Sequence, residues 1–324
     1  CKVFFEKGAG EAAGFLDNSF IDAGAELVEN ENNEVKKIVD IVLCVQTPNE
    51  KFLSYLKPGA LLVGLLDPYG NSLLAEKLKT HKISAISLEL LPRISRAQSS
   101  DALSSQANIA GYKSVLLAAS SLDRYFPMLM TAAGTIQPSK VVVLGAGVAG
   151  LQAIATAKRL GAVVYVSDIR EAVKEQVESL GARFIELPKI DETPSESGGY
   201  AKQVSNEFLI AQRKELATQL SEADVAICTA QVPGKKAPKL IDESMLDNMR
   251  PGSVVVDLAV LSGGNSACSK PGETIVRKGV KIVGASNLPC SVPNHASSLY
   301  SRNLLSLLQP MFKEGKFLID NDDE

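Results

Sequence analysis

Gly145, Gly147 and Gly150 stand in a G-x-G-x-x-G spacing directly after the apolar run Val141-Val142-Val143-Leu144, and the next apolar run, VVYVSD, ends on Asp168. Residue types in that order suit a pyrophosphate and a ribose. The first glycine allows a tight strand-to-helix turn, the second lets backbone come close to phosphate, and the third lets the helix pack against the sheet. Val148 and Ala149 lie at the start of that helix, where unpaired N–H groups and the positive dipole end favour an anion. A carboxylate at Asp168 can accept from the adenosine ribose hydroxyls and repels a 2′-phosphate, so the cofactor expected is NAD(H) rather than NADP(H). Ile169 follows, and Arg170 reads most simply as a solvated residue opening the next helix.

Chemistry of other kinds is scarce. A nicotinamide enzyme that oxidises an alcohol or amine needs a proton acceptor, usually His or Lys. The chain has only two His. His81 falls in a polar linker and His295 near the start of the last helix, both places for solvated or capping residues. The run DIVLCVQ puts Cys44 and Gln46, not Lys, at its end. The five cysteines form no CxxC and no cluster with His, so neither a disulfide framework nor a metal site is expected. Cys44 and Cys228 sit in apolar runs where a free thiol behaves as a small hydrophobe. Direct hydride passage between two nicotinamides leaves no substrate proton to remove; it needs aligned rings and excluded water. A site without His or Lys is compatible with that.

The elements that must hold these residues alternate. Strand-like runs at 2–6, 40–45, 60–65 and 83–88 are interleaved with helical runs at 49–56 and 71–79, the pattern of βαβ units and a parallel sheet. Their continuous apolar character implies that both faces are covered. The cluster Gly8-x-Gly10-x-x-x-Gly14 is one residue too long for the dinucleotide spacing and reads as a loop. A polar stretch, Pro92 to Asp101, leads into a long helical pattern at 102–125. After Asp168 come a helix at 171–180, a strand at 183–187, an acidic Pro/Ser/Gly-rich segment at 188–200 too polar to order itself well, a helix at 203–220 and strands at 224–229, 253–258 and 281–284. A turn at Gly263-Gly264-Asn265 and a hairpin near 274–276 belong to the same sheet. The tail at 296–312 is an amphipathic helix with Leu299, Leu304, Leu305 and Leu308 as its apolar positions. It is expected to pack back on the first domain. The fold class is therefore α/β, two Rossmann-like doubly wound domains with parallel sheets and an interdomain cleft: 1–125 with 296–324, and 126–295.

Composition agrees with a soluble globular enzyme: 324 residues, 45% hydrophobic and 22% charged. The net charge of −3 gives no basic face for nucleic acid. No apolar run approaches the ~20 residues that span a bilayer. The first residue is Cys, so the sequence is expected to begin inside a longer chain, with any targeting segment outside it.

The block RISRAQSSDALSSQANIAGYKSVLLAA, followed by FPMLMTAAGTIQPSKVVVLGAGVAGLQAIATAKRLGAVV, resembles the NAD(H)-binding component, domain I or the alpha subunit, of proton-translocating nicotinamide nucleotide transhydrogenases. So do SGGYAK, PGSVVVDLAVLSGGN and VRKGVKIVGASNLP, and the likeness covers nearly the whole chain. Alanine dehydrogenase is related to that family and shares its fold. The resemblance implies that Arg93, Ile94, Asp101 and Ser104 hold the nicotinamide and its carboxamide. It implies that Gln98 reaches towards NADP(H) on a partner domain, and that Gly199 and Tyr200 belong to a loop closing over the nucleotide. Val148, Ala149, Asp168, Ile169 and Arg170 match adenosine and pyrophosphate positions, and Gln212 matches a helix position near the nucleotide. Gln231 stands where relatives usually place an apolar residue. Relatives carry a further strand and helix ahead of the position of Cys1.

The resemblance further implies direct hydride transfer between NADH and NADP⁺. It also implies a transmembrane proton-translocating partner, a homodimer, and a place beside a membrane: the matrix side of the mitochondrial inner membrane or its bacterial or organellar equivalent. Two other readings stand beside it. An alanine-dehydrogenase-like enzyme is disfavoured because LVGLLDPYGN lacks that pattern's His and CVQTP its Lys. A binding module without turnover is disfavoured by the intact Arg93, Gln98 and Asp101 set.

Overall fold

The computed structural model describes residues 1–29, 33–186, 206–232, 234–314 and 316–318. The chain divides into two compact units, Cys1–Gln106 with Val292–Glu324, and Ala107–Ser291. The boundary falls inside the long helix rather than after it.

In the first unit, β1 (Phe4–Glu6) and β2 (Glu26–Val28) form a separate two-stranded parallel ribbon, joined through α1 (Asp17–Asp22). Sequence reading finds β1 but misses α1, β2 and the short α2 (Asn33–Lys36), whose apolar residues are too few to show a period. Three further strands, β3 (Ile41–Gln46), β4 (Leu61–Leu65) and β5 (Ser84–Ser87), make a parallel sheet in sequential order. Neighbouring residues of β4 point to opposite faces. Leu62 meets Leu53, Leu56, Leu74 and Leu78 of α3 (Glu50–Tyr55), α4 (Leu74–His81) and their flanks, while Leu61 and Val63 meet the C-terminal helix Pro293–Leu308. Asn49 caps α3 by accepting from the Phe52 amide at 2.9 Å.

The C-terminal helix lies in the first unit, and its buried stripe differs from the one read in the sequence. Ala296, Tyr300, Leu304 and Leu308 recur every fourth residue and are buried; Leu299 is half-buried and Leu305 is 62% exposed. Counting leucines alone overlooks Tyr300, whose ring fills the stripe while its hydroxyl donates to the Cys44 carbonyl at 2.6 Å. Burial pushes the Cys44 thiol up to about 11, which leaves it an inert part of the packing.

The second unit is built on a seven-stranded sheet. It comprises β8 (Lys140–Leu144), β9 (Val163–Ser167), β10 (Arg183–Phe184), β11 (Val225–Cys228), β12 (Val254–Asp257), β13 (Thr274–Arg277) and β14 (Val280–Gly284), in the order β10-β9-β8-β11-β12-β14-β13. All neighbours are parallel except the β13–β14 hairpin. Starting from β8 this is the 3-2-1-4-5-6 order of a doubly wound dinucleotide fold with an added antiparallel edge. The hairpin turns on Lys278 and Gly279, both at positive φ, as a two-residue primed turn requires. A second hairpin, β6 (Leu129–Thr131) with β7 (Gly134–Ile136), escapes the sequence reading.

The central strands are buried throughout, and their side chains alternate between two cores. Val141, Val143, Val225, Ile227, Val254 and Val256 join Val115 and Ala118 of α5 (Ala102–Ser121), Ala153, Ile154 and Ala157 of α6 (Val148–Arg159) and Val177 of α7 (Lys174–Ser179). Val142, Leu144, Ala226, Cys228 and Val255 join Leu216 and Leu220 of α8 (Asn206–Ser221) and Met245 and Leu246 of α9 (Glu243–Asp247). The expectation for the acidic segment 188–200 falls outside the described residues.

Where α5 passes α6, a Cβ at Gly111 would lie 2.1 Å from the Ala149 carbonyl oxygen. Gly to Ala in a helix ordinarily stabilises by about 0.8–1 kcal/mol. Here the sign reverses: Gly111→Ala should destabilise by about 1–3 kcal/mol, the usual cost of overpacking, read as a lowered urea midpoint at unchanged m-value.

Candidate functional site

The three fingerprint glycines occupy three different situations. Gly145 follows β8 at φ +102°, and a Cβ there would sit 2.8 Å from the Thr229 hydroxyl and 3.1 Å from the Ala230 nitrogen. Gly150 lies in the first turn of α6, where a Cβ would come within 1.9 Å of the Gly145 carbonyl oxygen. Neither position admits a side chain. Gly147 is the reverse: it caps α6 in extended conformation with no side-chain hydrogen bond, and a Cβ there would meet no atom within 4 Å. That leaves bare backbone facing open space at a helix N-terminus, as a pyrophosphate needs. Val148 and Ala149 follow it, exposed and half-buried.

Asp168, just past β9, is 8% exposed. One carboxylate oxygen accepts from the Ala146 amide at 2.7 Å, which ties the acid to the Gly145–Gly147 turn. The other accepts from the Arg170 amide at 2.9 Å. The Arg170 side chain grips the same carboxylate with two prongs, Nε at 3.0 Å and Nη2 at 2.9 Å. This corrects the sequence reading of Arg170 as solvated: its side chain is 13% exposed and paired. The i, i+2 spacing at a strand end folds the guanidinium back on its neighbour, a geometry that helical reasoning does not anticipate. Ile169 between them is half-buried.

Across the point where strand order reverses, Thr229 donates to the Gly145 carbonyl at 2.9 Å. Gln231 is exposed, but its amide donates to the Leu258 carbonyl at 2.8 Å, joining the chain after β11 to the chain after β12. Gly145, Gly147, Val148, Ala149, Gly150, Asp168, Arg170 and Gln231 are thus brought to the carboxyl ends of β8, β9, β11 and β12. Gln212 is buried on α8. Gly199 and Tyr200 lie outside the described residues. Sequence reading misses Thr229, although the hydroxyl directly after the fourth strand is visible in CTAQVPG.

The first unit holds the remaining candidates. Residues Ser95–Ser100 form a 3₁₀ turn, and Asp101 then caps α5: its oxygens accept from the Ser104 amide at 2.9 Å and the Ser104 hydroxyl at 2.6 Å. Arg93, Ile94 and Gln98 lie on this stretch, and Arg93 is engaged with neighbouring groups. A buried residue missed in the sequence fixes the loop: Asn303 on the C-terminal helix donates to the Ser99 carbonyl at 2.8 Å and accepts from the Ser105 hydroxyl at 2.7 Å. At the carboxyl ends of β3, β4 and β5 stand Gln46, Asp67 and Glu89. Glu89 accepts from the Leu66 and Asp67 amides at 3.1 and 2.9 Å and from the Ser87 hydroxyl at 2.6 Å. Its oxygens clamp backbone. His81 ends α4, and His295 is exposed in the first turn of the C-terminal helix. Among the described residues no group of His, Cys, Asp and Glu could hold a metal.

Residues 1–110 match the family described as alanine dehydrogenase/PNT, N-terminal domain, and residues 114–324 its C-terminal domain. The chain is 47% identical to the first portion of NAD(P) transhydrogenase subunit alpha of Rhodospirillum rubrum, over 98% of this chain and 84% of that one. A transhydrogenase structure from Sinorhizobium meliloti superposes with a TM-score of 0.85 at 42% identity, covering 96% of this chain and 85% of that one. Alanine dehydrogenase of Bacillus subtilis is more distant, 27% identical over 90% of this chain and 72% of its own. With both of its domains matched in order, the chain belongs to the alanine dehydrogenase/PNT family.

Proposed function

We propose that this chain is the NAD(H)-binding part of a proton-translocating transhydrogenase, presenting NADH for direct hydride transfer to NADP⁺ held by a partner domain. The observation that carries the reading is a dinucleotide fingerprint in the second unit together with, in the first, a β3–β4–β5 sheet whose carboxyl ends bear no His or Lys. The glycine turn and Asp168 fit a dinucleotide, while the carboxyl ends of the β3–β4–β5 sheet bear Gln46, Asp67 and a Glu89 committed to backbone amides. An alanine-dehydrogenase-like reaction would have to move a substrate proton, and those positions supply no His or Lys for it. Its standing as the alternative rests on family likeness alone.

NAD(H) supplies the hydride chemistry when bound. The chain's own residues bind, orient and exclude. The Gly147 backbone and the N-terminus of α6 would receive the pyrophosphate, with Gly145, Val148, Ala149 and Gly150 shaping the turn. Asp168 would accept from the adenosine ribose, flanked by Ile169 and Arg170. Gln212 and Gln231 are assigned to the rest of the nucleotide. Asp101 and Ser104, already hydrogen-bonded as one polar edge, would hold the nicotinamide carboxamide with Arg93 and Ile94, because a guanidinium and a carboxylate match its acceptor and donor. Gln98 would reach to the NADP(H) side, and Gly199 and Tyr200 would close over the nucleotide. No proton need be gained or lost by any of them.

The partners proposed are an NADP(H)-binding domain, a transmembrane proton-translocating domain and a second copy of this chain. Among the described residues no helix is long and apolar enough to cross a membrane, so the membrane step is assigned to the partner. The place proposed is beside a mitochondrial inner membrane or its bacterial or organellar equivalent.

Mixed with a purified NADP(H)-binding domain, the chain should pass hydride from NADH to an NADP⁺ analogue, followed by absorbance. Pyruvate and ammonia with NADH should give no turnover, and sustained NADH oxidation there would overturn the proposal. Gln98→Ala should slow the exchange by about tenfold or more while NADH affinity changes less than about twofold, the signature of an interaction made only during transfer. Asp168→Asn should weaken NADH binding by about tenfold, the scale of one charge-assisted hydrogen bond. It should also narrow the preference for NADH over NADPH, because the negative charge that repels a 2′-phosphate would be gone from beside the Arg170 guanidinium. Fluorescence titration with both nucleotides reads this, and an unchanged ratio would remove Asp168 from the ribose site.

A further inference from the structure

The second unit contains a buried polar assembly that the fingerprint does not include. Asn265, fully buried, clasps Ala230 at both backbone groups: its Oδ1 accepts from the Ala230 amide at 3.1 Å and its Nδ2 donates to the Ala230 carbonyl at 2.9 Å. The same Nδ2 donates to the Pro238 carbonyl at 2.8 Å. The Asn265 carbonyl accepts from the Leu240 and Ile241 amides at 2.8 and 3.0 Å. Beneath it, the buried Asp257 at the end of β12 accepts from the Ala259 amide at 2.9 Å, the Ser266 amide at 3.0 Å and the Ser269 hydroxyl at 2.6 Å. Gly263 and Gly264 turn the chain at positive φ, and Lys239 Nζ seals the turn by donating to the Gly263 and Ser266 carbonyls at 2.6 and 2.9 Å.

The clasped residue is not an arbitrary one. Ala230 backs directly on Gly145, and the preceding Thr229 holds the Gly145 carbonyl. In this strand order the half containing β8, β9 and Asp168 takes the adenosine nucleotide, and the half containing β11, β12 and β14 takes the other mononucleotide. The chain after β11 is therefore the wall of the second half, and Asn265 sets its backbone. We propose that Asn265 is a positioning residue for the nicotinamide half of the dinucleotide: it fixes the 229–232 wall against the Gly145 turn without touching the cofactor. This rests on the dinucleotide reading above.

The test is a binding split that loss of general stability would not produce. Asn265→Asp keeps the shape but removes both N–H donors and sets a carboxylate against the Ala230 and Pro238 carbonyls. In the full chain, NADH affinity should fall about tenfold or more, the scale of a buried acceptor left unpaired. Affinity for AMP, which uses only the adenosine half, should stay within about twofold. Equal losses for NADH and AMP, or no loss for either, would overturn the positioning role while leaving the cofactor reading intact. A wild-type chain that binds neither nucleotide would overturn both. Should Asn265→Asp not fold, Lys239→Met removes the outer seal from an exposed position. It should show the same split at about threefold, and parallel or absent losses there would count against the proposal in the same way.

Discussion

The second unit depends on backbone meeting backbone where strand order reverses. With a Cβ of Gly150 only 1.9 Å from the Gly145 carbonyl oxygen, α6 is seated against the end of β8 at a distance that side chains forbid. Thr229 then reaches across from β11 to the same carbonyl, and Gly111 brings α5 equally close to Ala149. These contacts commit three elements to one small region and leave Gly147 as the one fingerprint glycine facing open space. The site is an outcome of close packing on every side but one. The helix N-terminus can then meet an anion only from that side.

The chain uses its carboxylates at strand ends mainly to hold backbone. Asp168 ties the glycine turn, Asp257 ties the loop that carries Asn265, Glu89 ties the chain after β4, and Asp224 accepts from the Lys140 amide at 2.9 Å and from Arg124 at 3.1 Å. Among the described residues the acids at these strand ends are already engaged in hydrogen bonds to backbone amides, a hydroxyl or a guanidinium.

Legibility from sequence follows burial. β8, β11 and β12 are short apolar runs with both faces covered, so composition alone locates them, and the glycine spacing places α6 after β8. The C-terminal helix shows in its period, but Tyr300 does not, since a residue that is apolar in its ring and polar at its tip does not register in a count of leucines. The hairpin Leu129–Thr131 with Gly134–Ile136 and the strand β2 are short or exposed and give no alternation to read. The contacts of Thr229, Asn265 and Asn303 escape the sequence for another reason. Their partners are set by tertiary structure, Asn265 to Ala230 and Asn303 to Ser99, and neither distance is visible along the chain. Gln98 and Arg93 stand out through family likeness, not spacing, and the geometry adds the cap of Asp101 on Ser104 beside them.

Three of the groups that fix the candidate loops share one property. Asn265, Asn303 and Gln231 hold their neighbours through neutral amides, each able to donate and accept at once. A neutral amide keeps the same hydrogen bonds across the whole pH range in which a protein is folded, whereas His or a paired carboxylate would alter them as it titrated. Asn265 illustrates the consequence: one planar group satisfies both the N–H and the C=O of Ala230, so the wall it sets has a single orientation. Under the proposed function the chain must align a ring rather than move a proton. Alignment over about half an ångström is what rigid, doubly hydrogen-bonded supports can maintain. The choice of amides over titratable groups at Asn265, Asn303 and Gln231 is then the same constraint seen from the protein's side: where the chemistry is carried by the cofactor, these three supports supply geometry that does not change with pH.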